Sequence, residues 1–227
     1  MRRIVFAGIA AATLTTLVAT AQNAPTANLT AAQVIANVQT LNAGTRTFDA
    51  TFTQTYLAYA YNTTKTSNGV VSFKGALSDW SYVTPVGLRI VTNKTTACVY
   101  QPAVNQLYVQ TADESHYAVA ALLTQSNFGS YFTFTMLAGS QLQFAGGYVL
   151  VGTPVKATAA YTKVLVYVDA QTFEIQRVMF LDGQQNRNRF DFTRVKRNAP
   201  NSNATFVIRP APGTWPKGPA SPPTTCP

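Results

Sequence analysis

Apolar and polar residues alternate strictly over residues 48–56. Phe48, Ala50, Phe52, Gln54 and Tyr56 would share one face of an extended segment, and only Asp and Thr occupy the other. Successive side chains of a β-strand point to opposite faces, so this period of two predicts a strand. The pattern indicates one buried face and one face in contact with solvent.

A series of short β-rich runs follows this strand. The runs are separated by turn residues, of which Asn68-Gly69, Pro85 with Gly87, and Pro102 are the clearest. The connections are too short for a helical crossover, so every neighbouring pair can be antiparallel. This meander is predicted to contain strands at 70–73, 80–83, 88–92, 97–100 and 107–110.

A helix is predicted before the first strand. Thr30 and Gln33 have the spacing of a capping box, and Val34, Ile35, Val38 and Leu41 follow at helical spacing. The predicted helix has about three turns and ends near residues 42–44. Such a helix ordinarily packs on a sheet. The functional alternative is a movable cover over an apolar cavity.

The period changes between residues 111 and 140. Residues 116–123 and 128–138 predict one or two short helices, although 132–134 is also compatible with a strand. A second meander then begins at Gly146-Gly147. Its predicted strands are 148–151, 162–168, 173–181, 187–196 and 204–208.

This order of elements predicts an α+β fold built on a curved antiparallel sheet of about eleven strands. A sheet of that size curls, and helices inserted between its strands naturally fill the concave side. Within this plan we expect three segments. They are a signal peptide at 1–21, one domain at 22–209, and a Pro-rich tail at 210–227 that is extended or disordered.

The signal peptide is predicted from Arg2-Arg3, an apolar run over 4–18, and the small residues Ala19-Thr20-Ala21 before the expected cleavage point. The apolar run is shorter than a bilayer-spanning helix requires. The residue directly after the expected cleavage point is Gln22 and not Cys, which argues against a lipid anchor on this chain. We therefore expect an exported, periplasmic protein.

Charge and cysteine content refine this interpretation only slightly. The formal net charge is +9, yet only 11% of residues are charged, and the longest basic run after the signal is Lys196-Arg197. A mildly basic surface is expected, without a nucleic-acid partner. Cys98 and Cys226 have two interpretations: a disulfide, which export permits, or a buried, unpaired Cys98.

Candidate catalytic chemistry is sparse. His116 is the single histidine, there is no Gly-x-Ser-x-Gly motif, and metal-ligand or phosphate-loop spacings are missing. Glu174 and Asp182 could form a carboxylate pair across a hairpin, but a solvated strand face and a turn explain them as well. The sequence thus favours binding over catalysis, with no metal and no cofactor.

Several motifs together resemble the periplasmic outer-membrane lipoprotein carriers (LolA-type). Phe48-x3-Phe52-Thr53-Gln54 after a helix is similar to the opening signature of that family. The segment from Phe73 to Trp80 is similar to its basic-Pro-x-apolar-x-Trp segment, and Tyr100-Gln101-Pro102 matches its Tyr-x-Pro. Further similarity occurs at 147–150, at 164–169 with Ile175, and at 206–214. Gly75 stands where the family has Pro, and Asn93-Lys94-Thr95 replaces its Asp-Gly-Lys turn, as in a divergent paralogue.

The resemblance implies an unclosed β-barrel with a helical lid over an apolar cavity. It implies a monomeric carrier that needs no cofactor, takes lipoprotein acyl chains from an inner-membrane ABC transporter, and passes them to an outer-membrane receptor. It also implies that Lys74, in the position of the family's basic residue, is a latch that holds the lid closed.

We expect one set of apolar side chains to line this cavity and its lid: Val34, Ile35, Val38, Leu41, Phe52, Leu77, Trp80, Leu122, Met136 and Leu137. The hypothesis is that the helices occupy the cavity when it is empty and offset most of the free energy gained from acyl burial. Two alternatives share the fold: a lipid- or lipoprotein-sensing domain, and a general periplasmic lipid shuttle.

Overall fold

A computed structural model of the chain describes residues 29–93, 95–112, 114–209 and 215–217, the last three by their backbone alone. The proposed signal peptide lies outside these residues, as does most of the Pro-rich tail. Within the described residues, no helix is long and apolar enough to cross a membrane.

One twelve-stranded sheet forms the scaffold. Numbered along the chain, its strands are β1 (Thr47–Ala58), β2 (Thr63–Lys74), β3 (Leu77–Thr84), β4 (Arg89–Thr92), β5 (Thr96–Gln101), β6 (Gln106–Thr111), β7 (Phe132–Ala138), β8 (Gly147–Pro154), β9 (Lys163–Asp169), β10 (Ile175–Leu181), β11 (Arg187–Arg197) and β12 (Trp215–Lys217). Their order is β12-β6-β5-β4-β3-β2-β1-β11-β10-β9-β8-β7.

The two meanders of the sequence meet in the middle of this sheet. β1 pairs with β2 on one side and with β11 on the other, and all pairs from β1 to β11 are antiparallel. No pairing among the described residues joins the edge strands β7 and β12, so the sheet is an unclosed barrel. The predicted fold class, with about eleven antiparallel strands, is confirmed.

The predicted capping box starts helix α1 (Ala31–Ala43). The Thr30 hydroxyl accepts from the backbone N–H of Gln33 at 3.3 Å, and the Gln33 side chain accepts from the backbone N–H of Thr30 at 2.8 Å. This reciprocal pair satisfies two donors that a helix start would otherwise leave free. The apolar stripe then buries Val34 and Val38 completely.

The second helix, α2 (Glu114–Thr124), confirms the helix predicted at 116–123 and connects the meanders. The helical alternative for 128–138 is wrong. A single 3-10 turn, Phe128–Tyr131, leads into β7, which pairs with β8 at the edge of the sheet. The predicted strand at 204–208 is also wrong, since Asn203–Phe206 forms a 3-10 turn.

The sheet has an apolar cluster on each face. The main core packs α1 and α2 against the concave face through side chains such as Phe48, Phe52, Trp80 and Phe190. On the convex face, Phe206 and Ile208 cover Val91, Cys98 and Leu107. A segment taken for a strand therefore serves as an outer cover.

The tail contributes one element that the sequence did not predict. β12 pairs in parallel with β6, and Trp215 lies opposite Gln106. The expected extended conformation is seen in these three residues, and the rest of 210–227 lies outside the described part of the chain.

Candidate functional site

The concave face of the sheet is lined by an aromatic cluster centred on Trp80. The Trp80 ring lies 5.1 Å from Phe52, 5.7 Å from Phe73 and 5.2 Å from Phe190, measured between ring centroids. These residues come from β1, β2, β3 and β11, whose registers place them on one face. α2 covers the cluster, with the His116 ring 5.0 Å from Trp80.

Trp80 is fully buried, yet its indole Nε1 has no hydrogen-bond partner among the described residues. A buried donor without an acceptor costs about 1–3 kcal/mol. Packing the helices on the sheet thus leaves this indole N–H unsatisfied, at the centre of the apolar interior.

Arg197, the last residue of β11, joins both helices to the sheet. Its Nη1 donates to Thr45 Oγ1 at 2.6 Å, to Leu123 O at 3.2 Å and to Asn42 Oδ1 at 3.3 Å. Its Nε and Nη2 each donate to the Glu174 carboxylate at 2.9 Å. The side chain is 11% exposed, so this ion pair is largely shielded from solvent.

Asn42 completes this joint from α1. Its Nδ2 donates to Leu122 O at 2.9 Å and to Gln125 O at 3.1 Å. The last carbonyls of a helix have no partner within the helix, so an amide and a guanidinium here satisfy them directly. A cation also interacts favourably with the C-terminal end of a helix. We call Arg197, Asn42, Glu174 and Thr45 the helix joint.

Sequence reasoning missed the helix joint because of a β-bulge. Asp49 lies opposite Lys196 while Thr51 lies opposite Thr193, so β11 has one extra residue at this point. Strict alternation from Phe190 and Phe192 would put Lys196 on the concave face and Arg197 outside. After the bulge, the side chains of β11 point to the opposite faces from those that strict alternation predicts. Arg197 therefore lies opposite Phe48 on the concave face, with its guanidinium 5.3 Å from the Phe48 ring.

A cavity of about 340 Å³ remains between α2 and the strands at the β7 side of the sheet. Ala118, Ala121, Phe132 and Tyr161 form its apolar wall, and Lys156 stands at its margin. Pro154, the last residue of β8, and residues 155–158 of the loop that follows also line it. The cavity can accept an apolar group, and a cation lies near its mouth.

Most of the predicted cavity and lid residues do lie on the concave side. Five are buried in the main core: Val34, Val38, Phe52, Trp80 and Leu122. Ile35 and Met136 are partly buried against that core, and Leu41 is partly buried on α1. The structure therefore brings these eight together, as core packing between helices and sheet. None of them lines the described cavity, which is next to them.

Two residues of the predicted cavity and lid set, Leu77 and Leu137, lie on the opposite side of the sheet, because both point to the convex face. Leu77 packs on the outer cluster of Val91 and Cys98. Leu137 is 39% exposed and lies opposite Val149, which belongs to a separate outer cluster. Their neighbours Ser78 and Met136 take the concave positions, since strand side chains alternate. The sequence left the register of both segments undetermined.

Lys74 is also on the convex side. Its Nζ donates to Asn201 O at 2.9 Å and to Asn203 Oδ1 at 2.8 Å. Neither partner belongs to α1 or α2, so these contacts attach the outer cover to β2. Among the described residues, Arg197 and not Lys74 donates hydrogen bonds to α1 and α2.

The remaining candidates take structural places. Glu174 pairs with Arg197, and Asp182 accepts backbone N–H groups of its own turn, so the two do not form a carboxylate pair. Groups of His, Cys, Asp and Glu suited to a metal ion are absent from the part of the chain that the structure describes. Cys98 is fully buried and disulfide-bonded. Cys226 lies outside the described residues, so the pairing of Cys98 with Cys226 stays a prediction.

Comparisons with known proteins bear on the fold. A family model described as "Outer membrane lipoprotein carrier protein LolA" matches residues 43–209. No protein of curated function matches the chain. The structure of a conserved protein from Thermus thermophilus is similar, with 14% sequence identity and a TM-score of 0.51. The match covers 82% of this chain and 98% of the Thermus protein. A LolA superfamily protein from Nitrosomonas europaea is 15% identical with a TM-score of 0.45, covering 78% and 97%.

Proposed function

We propose that this chain, which belongs to the outer membrane lipoprotein carrier (LolA) family, binds acyl chains of lipoproteins on the concave face of its sheet. The observation that carries the proposal is the arrangement of α1 and α2. Both helices are packed into an unclosed barrel by their apolar stripes, and a cavity of about 340 Å³ remains beside α2.

The size of the cavity indicates how binding must proceed. Small-molecule sites usually have about 300–1,000 Å³, so this cavity is at the lower end of that range. It suits the first part of one acyl chain. Accepting the several chains of a lipoprotein requires α1 and α2 to move away from the aromatic cluster, which would add the Trp80 side of the interior to the site.

The free energies favour a closed state that can be displaced. Burying an acyl chain is worth about 0.8 kcal/mol per CH₂ group, so several chains held without cost would not be released. Moving α1 and α2 exposes their apolar stripes and breaks the helix joint, which offsets much of that gain. The unpartnered Trp80 Nε1 lowers the cost of opening, because water or a ligand carbonyl can then accept from it.

The proposed pathway is export to the periplasm, loading from an inner-membrane ABC transporter and delivery to an outer-membrane receptor. The family relationship supports this pathway. Loading at one membrane and release at another needs a carrier that shields acyl chains from water on the way, and a lid held by a breakable polar joint meets that need.

Filling the cavity tests the binding site. Ala121 is buried and lines it, so Ala121→Leu should reduce binding of a fluorescent palmitoyl lipopeptide at least tenfold. Ala36→Leu adds the same side chain at an exposed position of α1 and should leave binding unchanged. Equal affinities for the two folded variants would exclude this cavity as the entry point.

A second experiment separates a lipoprotein carrier from a general lipid shuttle. The mature protein is incubated with inner membranes loaded with lipoprotein, and the soluble fraction is analysed. Lipoprotein in a soluble complex supports the carrier. Capture of free lipid with no lipoprotein would show that the chain is a shuttle.

A further inference from the structure

One end of the sheet carries a concentration of exposed apolar side chains. The antiparallel register places four connections at this end, 59–62, 85–88, 102–105 and 182–186, together with the loop 155–162. We call these five segments the rim. Two of the segments, 59–62 and 182–186, are joined by a hydrogen bond from Tyr59 N to Asn186 Oδ1 at 2.9 Å.

The rim residues are exposed in a way that folding does not explain. Tyr61 and Val86 are each 83% exposed, and Val155 is 67% exposed. Tyr59 and Val104 are more than half exposed as well. Large apolar side chains grouped on a surface mark an interaction site, and tyrosine is a residue type enriched at the interface between membrane and water.

The charges at this end are nearly all positive. Lys65, Lys156, Lys163 and Arg187 are exposed and lie in the rim or at the first residues of the strands beside it. Among acids whose side chains the structure describes, Asp182 is the one at this end. Its carboxylate is occupied by the N–H groups of Gln184 and Asn186 and by the Asn186 amide.

We propose that the rim docks on a bilayer surface that contains anionic lipid head groups. Exposed tyrosine and valine side chains with lysine and arginine beside them match such a surface. The apolar side chains can enter the membrane–water interface, while the cations interact with lipid phosphates. Residues 155–158 of the rim loop line the cavity, so docking would bring its mouth next to the membrane.

This inference goes beyond the proposed function, because surface docking does not require acyl binding. The test uses the mature full-length chain and sedimentation with vesicles of equal parts phosphatidylethanolamine and phosphatidylglycerol. Vesicles of phosphatidylcholine alone are the uncharged comparison. We expect binding to the anionic vesicles that weakens as salt rises, since exposed charges are screened.

Two pairs of variants assign the binding to the rim. Lys65→Gln with Arg187→Gln should weaken binding to anionic vesicles by on the order of fivefold per cation and flatten its salt dependence. The double variant Tyr59→Ser and Tyr61→Ser should weaken binding at every salt concentration. Matched controls away from the rim are Lys196→Gln and Val70→Ser, both at exposed positions.

Each outcome decides the proposal. Weaker binding by both rim pairs and by neither control supports it. No vesicle binding by the unmodified chain, or equal effects of rim and control variants, overturns it. Ala121→Leu should bind vesicles like the unmodified chain but bind the lipopeptide more weakly. The double variant of Tyr59 and Tyr61 should bind the lipopeptide like the unmodified chain but bind vesicles more weakly. A failure of docking is therefore distinguishable from a failure of acyl binding.

Discussion

Arg197 shows how one side chain can connect several elements. Its guanidinium contacts the carboxylate of Glu174, a carbonyl of α2 and side chains at the end of α1. Arginine suits this position, because its planar fork donates five hydrogen bonds and always keeps its charge. The position of the two helices on the sheet therefore depends on this residue.

Replacing Arg197 by Met should loosen both helices. The change leaves the Glu174 carboxylate without the Arg197 guanidinium and frees the Leu123 carbonyl of α2, so we expect the free energy of unfolding to fall by about 2–4 kcal/mol. Hydrogen exchange should become faster in α1 and α2 than in the central strands, as expected for local opening. Lys196→Met, on the exposed side of the same strand, is the control. Unchanged exchange in both helices would rule out a joint at Arg197.

Asp169 provides a dependence on pH. Burial raises the pKa of its carboxyl, but hydrogen bonds from the backbone of Thr172 and Gln171 and the side chains of Thr172 and Gln176 outweigh burial and lower it below 3.8. A carboxylate with a lowered pKa stabilises the fold at pH values above its unfolded pKa. That stabilisation is lost as the pH falls through the folded value.

Asp169→Ala should therefore destabilise the protein most at neutral pH. The turn loses its hydrogen-bond acceptor, which costs about 1 kcal/mol. Urea unfolding at several pH values measures the difference from the unmodified chain. That difference should shrink as the pH falls below the unfolded pKa and through the lower folded pKa, beyond which the carboxyl is protonated in both states. A difference that is constant from neutral to acid pH would contradict this role.

Residue-level prediction from sequence worked where local rules apply. Thr30 and Gln33 determine the helix start by themselves, and alternation assigned Phe52 to the buried face correctly. It failed at Lys74, Leu77 and Leu137, whose faces depend on register, and at Arg197, whose face depends on a bulge. Register and bulges are set by pairing with distant strands, which a local pattern does not contain.

At the scale of elements, the junction of β2 and β3 depends on Gly69. Gly69 lies between Phe52 and Tyr82 in the register, and those two rings pack 5.0 Å apart across it. A Cβ atom at Gly69 would lie 2.2 Å from Ser81 O and 2.9 Å from Tyr82 Cα. The absence of a side chain lets the strands approach and the rings cover the gap.

Gly69→Ala should consequently destabilise the sheet beside the aromatic cluster. The backbone of β3 would have to shift, and we expect a loss of about 2–4 kcal/mol in chemical denaturation. Gly183→Ala is the control, since a Cβ atom there meets nothing within 4 Å. Its effect should stay within about 0.5 kcal/mol. Equal losses for the two variants would show that the close approach at Ser81 is unimportant.

Element types followed from the sequence except where tertiary contacts decide them. The segment 128–138 has the apolar spacing of a short helix, but the free edge of β8 offers backbone partners along its whole length, and β7 forms there. Conversely, 204–208 has strand composition but lies on the convex face as a cover for Val91 and Leu107. In both cases the available partner outweighed local propensity.

At the scale of the whole molecule, three features are connected through their contacts: the rim, the cavity and the helix joint. The rim loop lines the cavity, the cavity adjoins α2, and α2 is held on the sheet by the joint. A ligand that needs the space under the helices must therefore supply the free energy of opening. Its apparent association constant is then the intrinsic constant for the open state multiplied by the fraction of molecules that are open.

This linkage predicts a result that packing alone does not. Arg197→Met lowers the cost of opening, so it should bind a palmitoyl lipopeptide more tightly even though it is less stable without ligand. Stabilisation by a ligand grows with its concentration relative to Kd, so the lipopeptide should raise the melting temperature of Arg197→Met by more degrees than that of the unmodified chain. Lys196→Met should respond like the unmodified chain. If the lipopeptide raised all three melting temperatures equally, the helices would not compete with the ligand, and acyl chains would have to bind in the existing cavity without displacing them.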